Sequence, residues 1–460
     1  MVSDAGRRLI PAGHWAAWLV LPVAAACSHT NGASPGASDA SATDGAGGGL
    51  ASDGQALGVV EAATVLDAMS DDGGDGAPPR TCITLATPQP CAPPEMTALP
   101  ICTLSQTGCM NPTRPTQFAA NAIYYEVNSP LWSDDAAKSR AFVLPDGGTI
   151  HVKNCMPDAG AAALAECVSP GGVASGPADT GKWVFPVGTV MIKSFVVAGK
   201  LVETRLFMHV DAATAAVIQN GTDWVGYNYA WNEEQTEATV VPDERLSVTF
   251  DAGSATVVWN YPSFLDCIGC HSAAVGTLGP ETDQMNRVVD GGNQIDTFEA
   301  KGLFDDTAPT KPYATALVEP YANAALGLQG PPDGSTVDQQ ARSYLGANCG
   351  FCHRPDVNDQ GFDLRPALSL AQTGICGLSE QNGIPGMTSE TYLDLDPGNH
   401  AASALWIRMN IPVPSTDPDE EYDVGRMPPV ASFIVDPQAV PLVGSWIDSI
   451  TTCPILDAGM

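Results

Sequence analysis

Two pentapeptides in this chain combine two thiols and an imidazole at one spacing: Cys267-Ile268-Gly269-Cys270-His271 and Cys349-Gly350-Phe351-Cys352-His353. Thiols two residues apart can each form a thioether to a vinyl group of one porphyrin. The histidine next in line then reaches the iron as proximal ligand. The pattern points to two covalently attached haem c groups, held at Cys267 and Cys270 and at Cys349 and Cys352, with His271 and His353 on the irons. A single C-x-x-C would also suit half of a disulfide framework or a zinc knuckle. Structural zinc needs four ligands. Besides the motif histidines, the chain beyond residue 27 offers only His29, His151, His209 and His400, none in a paired ligand spacing.

A methionine thioether commonly completes such an iron, because this soft donor stabilises the reduced state and raises the potential. Gly425-Arg426-Met427-Pro428-Pro429 lies between the second motif and the last helical stretch. Its prolines hold the backbone extended and present the sulfur without competing helix. Met427 is therefore the expected sixth ligand of the second iron, while Met409, on a helix with Trp406, reads as core. For the first iron Met191, Met208, His209 and Met285 all stay open. An iron left without a strong sixth ligand has a face that can bind oxygen, peroxide or nitric oxide.

The elements that must position these groups differ between the two motifs. From about Gln117 to Tyr261 the pattern is of strands. Trp183 to Phe195, the turn Ala198-Gly199-Lys200 and Leu201 to Val210 read as a hairpin. In its second arm Val202, Leu206, Met208 and Val210 share one face, and Glu203, Arg205 and His209 the other. Val225, Tyr227, Tyr229 and Trp231 alternate likewise; with Trp224, these aromatics read as core rather than as an electron relay. Val248 to Trp259 supplies a further strand, and the first motif follows it.

The second motif has helical surroundings. Ser335-Thr336-Val337-Asp338 has the capping-box spacing, and Val337, Ala341, Tyr344 and Leu345 fall on one helical face leading into Cys349. Asn399 precedes a helix with Leu405 and Met409. Asp436-Pro437 caps a last one striped by Val440, Val443, Ile447 and Ile450. The expected fold class is α+β: a mostly antiparallel β domain followed by a small all-α cytochrome c-like domain. The expected boundaries are a signal peptide over 1–27, a flexible linker over 28–80, a Cys-rich segment plus β domain over 81–330 and the helical domain over 331–455.

Arg7 and Arg8, the short apolar run Trp15 to Val23 and Ala24-Ala25-Ala26-Cys27 read as a signal peptide. Cysteine after small residues is similar to a bacterial lipoprotein box, with Cys27 as the lipidated residue, although Ala24 stands where Leu or Val is commoner. Ordinary cleavage with a free Cys27 is the other reading; if Cys27 is lipidated, the likeness to such lipoproteins implies the outer membrane, because Ser28 rather than Asp follows it. Removing Cys27 and the four motif cysteines from the 13 in the chain leaves an even remainder, which in an oxidising compartment suggests disulfides. Eight cysteines allow 105 pairings, which leaves the connectivity open; short-loop pairing of Cys82–Cys91, Cys102–Cys109 and Cys155–Cys167, with Cys376–Cys453, is the first to test. The net charge of −32 argues against nucleic acid, whose phosphates it would repel, and suits basic redox partners such as small cytochromes.

With Pro130-Leu131-Trp132-Ser133-Asp134, Phe185-Pro186-Val187-Gly188-Thr189, Val202-Glu203-Thr204-Arg205-Leu206, Tyr229-Ala230-Trp231-Asn232-Glu233, Gly302-Leu303-Phe304 and Met427-Pro428-Pro429 added to the two motifs, the chain resembles a family of bacterial exported diheme c-type cytochromes. The resemblance covers about Asn121 to Ile450 and implies two haems with His271 and His353 as proximal ligands. A narrower likeness, over about Gln117 to Gly276, is to β-sheet haem proteins of the cytochrome c′-beta kind, which implies an open first iron. The expected function is electron transfer between periplasmic or cell-surface partners, by an outer-membrane lipoprotein touching the membrane only through its anchor. The alternative is a peroxidase-like or small-ligand-binding oxidoreductase whose open first haem is fed by the second. No Ser–His–Asp, phosphate-loop or paired-carboxylate signature rises above background.

Overall fold

A computed structural model describes residues 60–61, 82–91, 99–218, 222–242, 246–251, 256–384, 387, 392–412, 425–429 and 432–455. Its centre is a six-stranded sheet of Ile123–Tyr124 (β1), Ala137–Val143 (β2), Val190–Val197 (β3), Lys200–His209 (β4), Trp224–Trp231 (β5) and Ala238–Val240 (β6). Every pair is antiparallel, and the strands lie side by side in chain order. The β3–β4 hairpin closes as its alternation predicts. Ala198 and Gly199 both take positive φ, 49° and 81°, the conformation that a two-residue turn matched to strand twist requires. Leu246–Asp251 (β7) and Thr256–Tyr261 (β8) form a second hairpin, with Val60–Glu61 alongside. The single strand expected over Val248 to Trp259 is therefore two.

Both faces of the six-stranded sheet are covered. One carries Val190, Ile192, Leu206, Met208 and Val210 against the Cys-rich segment, which contributes Ile101, Leu104 and Met110. The other carries two apolar clusters. Phe142, Met191, Phe207 and Trp224 join Trp183, Phe298 and Phe304 in one. Phe195 and Ala230 join Trp259 and Tyr261 in the other. Trp224, Tyr229 and Trp231 are all buried, as a core reading requires.

The cysteine pairing departs from the short-loop expectation at one end. Cys155–Cys167 and Cys376–Cys453 form, but the other four residues interleave as Cys82–Cys102 and Cys91–Cys109. Backbone pairing explains the choice: Ile83 N–H donates to Pro100 O and Cys102 N–H to Ile83 O, both at 2.8 Å, which lays Cys82 beside Cys102.

The expected all-α C-terminal domain is not what forms. Among the described residues after 331 the longer regular elements are Val337–Asn348 (α3), Ala404–Met409 (α4) and the closing helix Ala439–Ser449 (α5), and the molecule as a whole is mostly β. (Two earlier helices, Phe264–Cys270 and Gln294–Ala300, are α1 and α2.) The local signals at the helix ends hold with a shift of register. The capping box of α3 is Thr336 with Gln339 rather than Ser335 with Asp338, and Val337 is exposed. Asp436 accepts from the N–H groups of Gln438 and Ala439 at the head of α5. Ala341, Tyr344 and Leu345 meet Val440, Val443 and Ile447 in one small core, and between these two helices the described residues form only short helical pieces, Leu370–Thr373, His400–Ala402 and α4.

The first domain boundary, the signal segment with Cys27, lies outside the described residues, as does all of 28–80 except Val60–Glu61. Those two residues pair with β7 as a parallel strand. Among the described residues, no helix is long and apolar enough to cross a membrane.

Candidate functional site

The first motif is carried by α1, which starts two residues after β8. Ser263 caps it: its hydroxyl accepts from Asp266 N–H at 3.3 Å, and the Asp266 carboxylate accepts from Ser263 N–H at 2.8 Å. This reciprocal pair satisfies two otherwise orphaned donors of the first turn and fixes where Cys267 and Cys270 emerge. Cys267 packs above Gly226 of β5, where an added Cβ would lie 3.5 Å from its sulfur and 3.2 Å from the Phe207 ring. His271 ends the helix, its ring centroid 4.1 Å from that of Phe207, which in turn stacks on Trp224.

The His271 tautomer is set by one bond. Its Nδ1 lies 2.8 Å from Gly276 O, and a carbonyl only accepts, so Nδ1 carries the proton and Nε2 keeps its lone pair. Metal-ligating histidines are oriented in this way. Burial pushes the His271 pKa down to about 4, with the Lys193, Arg205 and Lys182 cations pushing the same way. The ring is therefore neutral at pH 7, the form a metal takes.

The second motif follows α3 without a break. His353 N–H donates to Cys349 O at 2.9 Å, and the ring stacks on Phe362 at 4.8 Å. Burial pushes its pKa to about 4 as well. Its Nδ1 is buried with no hydrogen-bond partner among the described residues. Such an atom costs about 1–3 kcal/mol, which marks this imidazole as unlike a histidine held by the core. Gly350 is needed by the local geometry, because a Cβ there would come within 2.8 Å of Leu364 O and 2.9 Å of Gly346 O.

One cavity joins the two motifs. Cys267, Cys270 and His271 line it together with Cys349, Cys352 and His353, and Met427 lines it too. Its volume is about 230 Å³, where packed interiors rarely leave room for more than a water. Met427 is placed by two bonds to Arg408: its N–H donates to Arg408 O at 3.1 Å, and the Arg408 side chain donates from Nη1 to Gly425 O at 2.8 Å. Met409 is buried in the helical core and is not part of the lining.

Of the four residues left open for the first iron, only Met191 lines the cavity. Met208 points to the opposite face of the sheet and Met285 is fully buried in an apolar cluster. His209 has both ring nitrogens engaged, Nδ1 with Phe185 O at 2.8 Å and Nε2 with Asp223 Oδ2 at 2.9 Å.

The residues fit a covalent haem at the first motif more simply than at the second. Cys267, Cys270 and Cys349 are reduced thiols, and burial pushes those of Cys270 and Cys349 up to about 12. Cys352 stands in a disulfide, so a thioether at that position requires its prior reduction. Among the described residues no group of three or more His, Cys, Asp or Glu side chains is arranged to hold a metal ion. A haem iron asks the chain for only one or two axial ligands.

Sequence reading missed the cations of this cavity. Arg140, Lys193 and Arg205 line it near the first motif, and Arg354 and Arg365 near the second. Arg354 and Arg365 both bond the Asp179 carboxylate, at 2.8 and 2.9 Å. The available signal was the period of two that puts Lys193 and Arg205 on the same face as Met191 and Phe207. No family model, curated protein or solved structure matches this chain.

Proposed function

We propose that the chain is an exported diheme c-type cytochrome that passes electrons between redox partners. Haem c would be held at Cys267, Cys270 and His271, and at Cys349, Cys352 and His353, with Met427 as sixth ligand of the second iron. The observation that carries this reading is the single cavity lined by both motifs and Met427. Two groups attached there would share one enclosure, which suits relay between them. Bound haem supplies a reversible one-electron couple. The chain's own part is to orient His271 through Gly276 O, to keep both imidazoles neutral by burial, and to shield the site with Phe207, Trp224 and Phe362.

The disulfides Cys82–Cys102, Cys91–Cys109, Cys155–Cys167 and Cys376–Cys453 support an oxidising compartment. The leader-like N-terminus and Cys27 support export to the periplasm or cell surface as a lipoprotein. The charge of −32 favours basic partners. The alternative, an oxidoreductase with an open first iron, gains from the placement of Met208, His209 and Met285 outside the cavity, which leaves Met191 alone to fill the sixth position.

Spectra of the purified periplasmic form decide. Two haems per chain, both low-spin and indifferent to carbon monoxide, are expected of the carrier. Fewer than two would remove the reading, and a high-spin component that binds carbon monoxide or nitric oxide would move it to the alternative.

A further inference from the structure

The cavity face of the six-stranded sheet is ranked across its strands. Phe142, Met191, Phe207 and Gly226 are in register on β2 to β5, and the next rank is Arg140, Lys193, Arg205 and Asn228. The rank beyond is Lys138, Phe195, Glu203 and Ala230. Three cations thus stand directly opposite one another on neighbouring strands, about 5 Å apart in the pairing direction, between two apolar clusters. Like charges in that relation are destabilising. A chain with 20 Lys and Arg against 52 Asp and Glu has no compositional reason to gather them there.

Their local partners do not balance them. Arg205 is paired by Glu203, Nε to Oε1 at 2.7 Å and Nη2 to Oε2 at 3.0 Å. Among the described residues Arg140 has Glu126 as its ion-pair partner, at 3.6 Å and half exposed. The Lys193 side chain makes no hydrogen bond or ion pair among the described residues; its ammonium lies 5.1 Å from the Phe195 ring centroid, and Arg205 lies over the same ring at 4.6 Å. Burial first, then Arg140, Lys138 and Arg205, hold the Lys193 pKa well below the ordinary lysine value. The contrast is with Arg354 and Arg365 in the same cavity, which have Asp179, Asp356 and Asp363 as partners.

We infer that Arg140, Lys193 and Arg205 form an anion-binding row beside the first motif, its ligand a carboxylate or a small inorganic oxyanion. All three line the cavity with Cys267, Cys270 and His271. Two sources have this chemistry. One is the pair of carboxylates borne by a haem attached at Cys267 and Cys270, in which case the inference rests on the proposed function. The other is a diffusible anion that enters the cavity.

The test is calorimetric titration of the purified full chain with sodium sulfate and sodium acetate, beside Lys193→Met and Lys193→Arg. Saturable binding that weakens at least tenfold in Lys193→Met and persists in Lys193→Arg assigns the row to a diffusible anion. In a haem-loaded chain, no binding together with a lower first-haem potential in Lys193→Met, restored in Lys193→Arg, assigns it to the haem's own carboxylates. No binding with an unchanged potential overturns the inference, and so does a haem-free chain that binds neither anion. A haem-free chain that binds sulfate keeps this inference while the cytochrome reading falls.

Discussion

The guanidinium of Arg354, the residue after His353, donates to the carboxylate of Asp179 at 2.8 Å, across 175 residues of chain. Both side chains are 3% exposed, and Arg365 reaches the other oxygen of the same carboxylate at 2.9 Å. The second motif is thereby tied to the loop between β2 and β3. Breaking a buried ion pair costs about 3–5 kcal/mol when a charge is left bare. Arg354 and Arg365 keep Asp356 and Asp363, so Asp179→Asn is expected to lose less than that in urea unfolding at pH 7.

The same carboxylate sets an acid dependence. Burial pushes the Asp179 pKa up, but Lys182, Arg354 and Arg365 outweigh it and hold the group well below its ordinary 3.8. A carboxylate depressed in the folded state contributes stability that is fully present above its unfolded pKa and is lost as pH falls toward the folded one. The gap in unfolding free energy between the native chain and Asp179→Asn should therefore be constant from pH 7 to about 5 and shrink below about pH 4. A gap that widens on acidification would show the sign to be wrong.

Much of this site could be read from sequence, for reasons that differ by residue. The β3–β4 hairpin is legible because Ala198-Gly199 supports the turn and the flanking residues alternate. The two motifs and Met427 stand out by residue type and short spacing, and they line one cavity. The role of Lys193 and Arg205 is not, because alternation separates two faces without saying whether the polar one meets solvent. Here it meets a cavity. The all-α domain fails for a similar reason. Each helix end carries a sound local signal, but the chain between is held by distant partners. Asp134 accepts from Phe433 and Ile434 N–H, and Trp132 bonds Asn348 and Ile434 O. No local pattern announces those bonds. The disulfide exchange among Cys82, Cys91, Cys102 and Cys109 likewise follows from the Ile83–Ile101 pairing rather than from loop length.

The Ser263 cap should govern the first motif alone. Ser263→Ala removes the acceptor for Asp266 N–H and the hydroxyl that donates to Asp266 at 2.9 Å, a loss of about 1 kcal/mol for a capping residue. Under the proposed function, peptide mapping of the variant should find haem reduced on the peptide containing Cys267 and Cys270 and unchanged on that containing Cys349 and Cys352. Equal loss at both would mean that the cap acts on the whole fold.

Met427→Leu keeps the volume of the side chain and removes the thioether. With the sulfur as sixth ligand of the second iron, the variant should lower one of two reduction potentials and lose absorption due to thioether-bound iron. Thermal unfolding should change little, since a Met-to-Leu exchange costs less than about 1.5 kcal/mol. Potentials that both stay in place would put the ligand elsewhere.

Gly350 and Gly226 sit beside the two motifs and should respond differently to the same substitution. At Gly350 an added Cβ meets backbone oxygens at 2.8 and 2.9 Å, so the strand of chain carrying Leu364 has to move. At Gly226 the nearest atom is a ring carbon of Phe207 at 3.2 Å, which a few tenths of an ångström of ring movement can accommodate. Overpacking of the first kind costs roughly 1–3 kcal/mol. Gly350→Ala is therefore expected to lower the urea midpoint by that amount and to reduce haem at the second motif. Gly226→Ala should leave the midpoint nearly unchanged, and its effect, if any, should fall on the first motif, because Phe207 contacts His271. Mass measurement of the two haem peptides from each variant separates these outcomes, and a Gly226→Ala chain that loses the second haem would contradict the placement of Cys267 above β5.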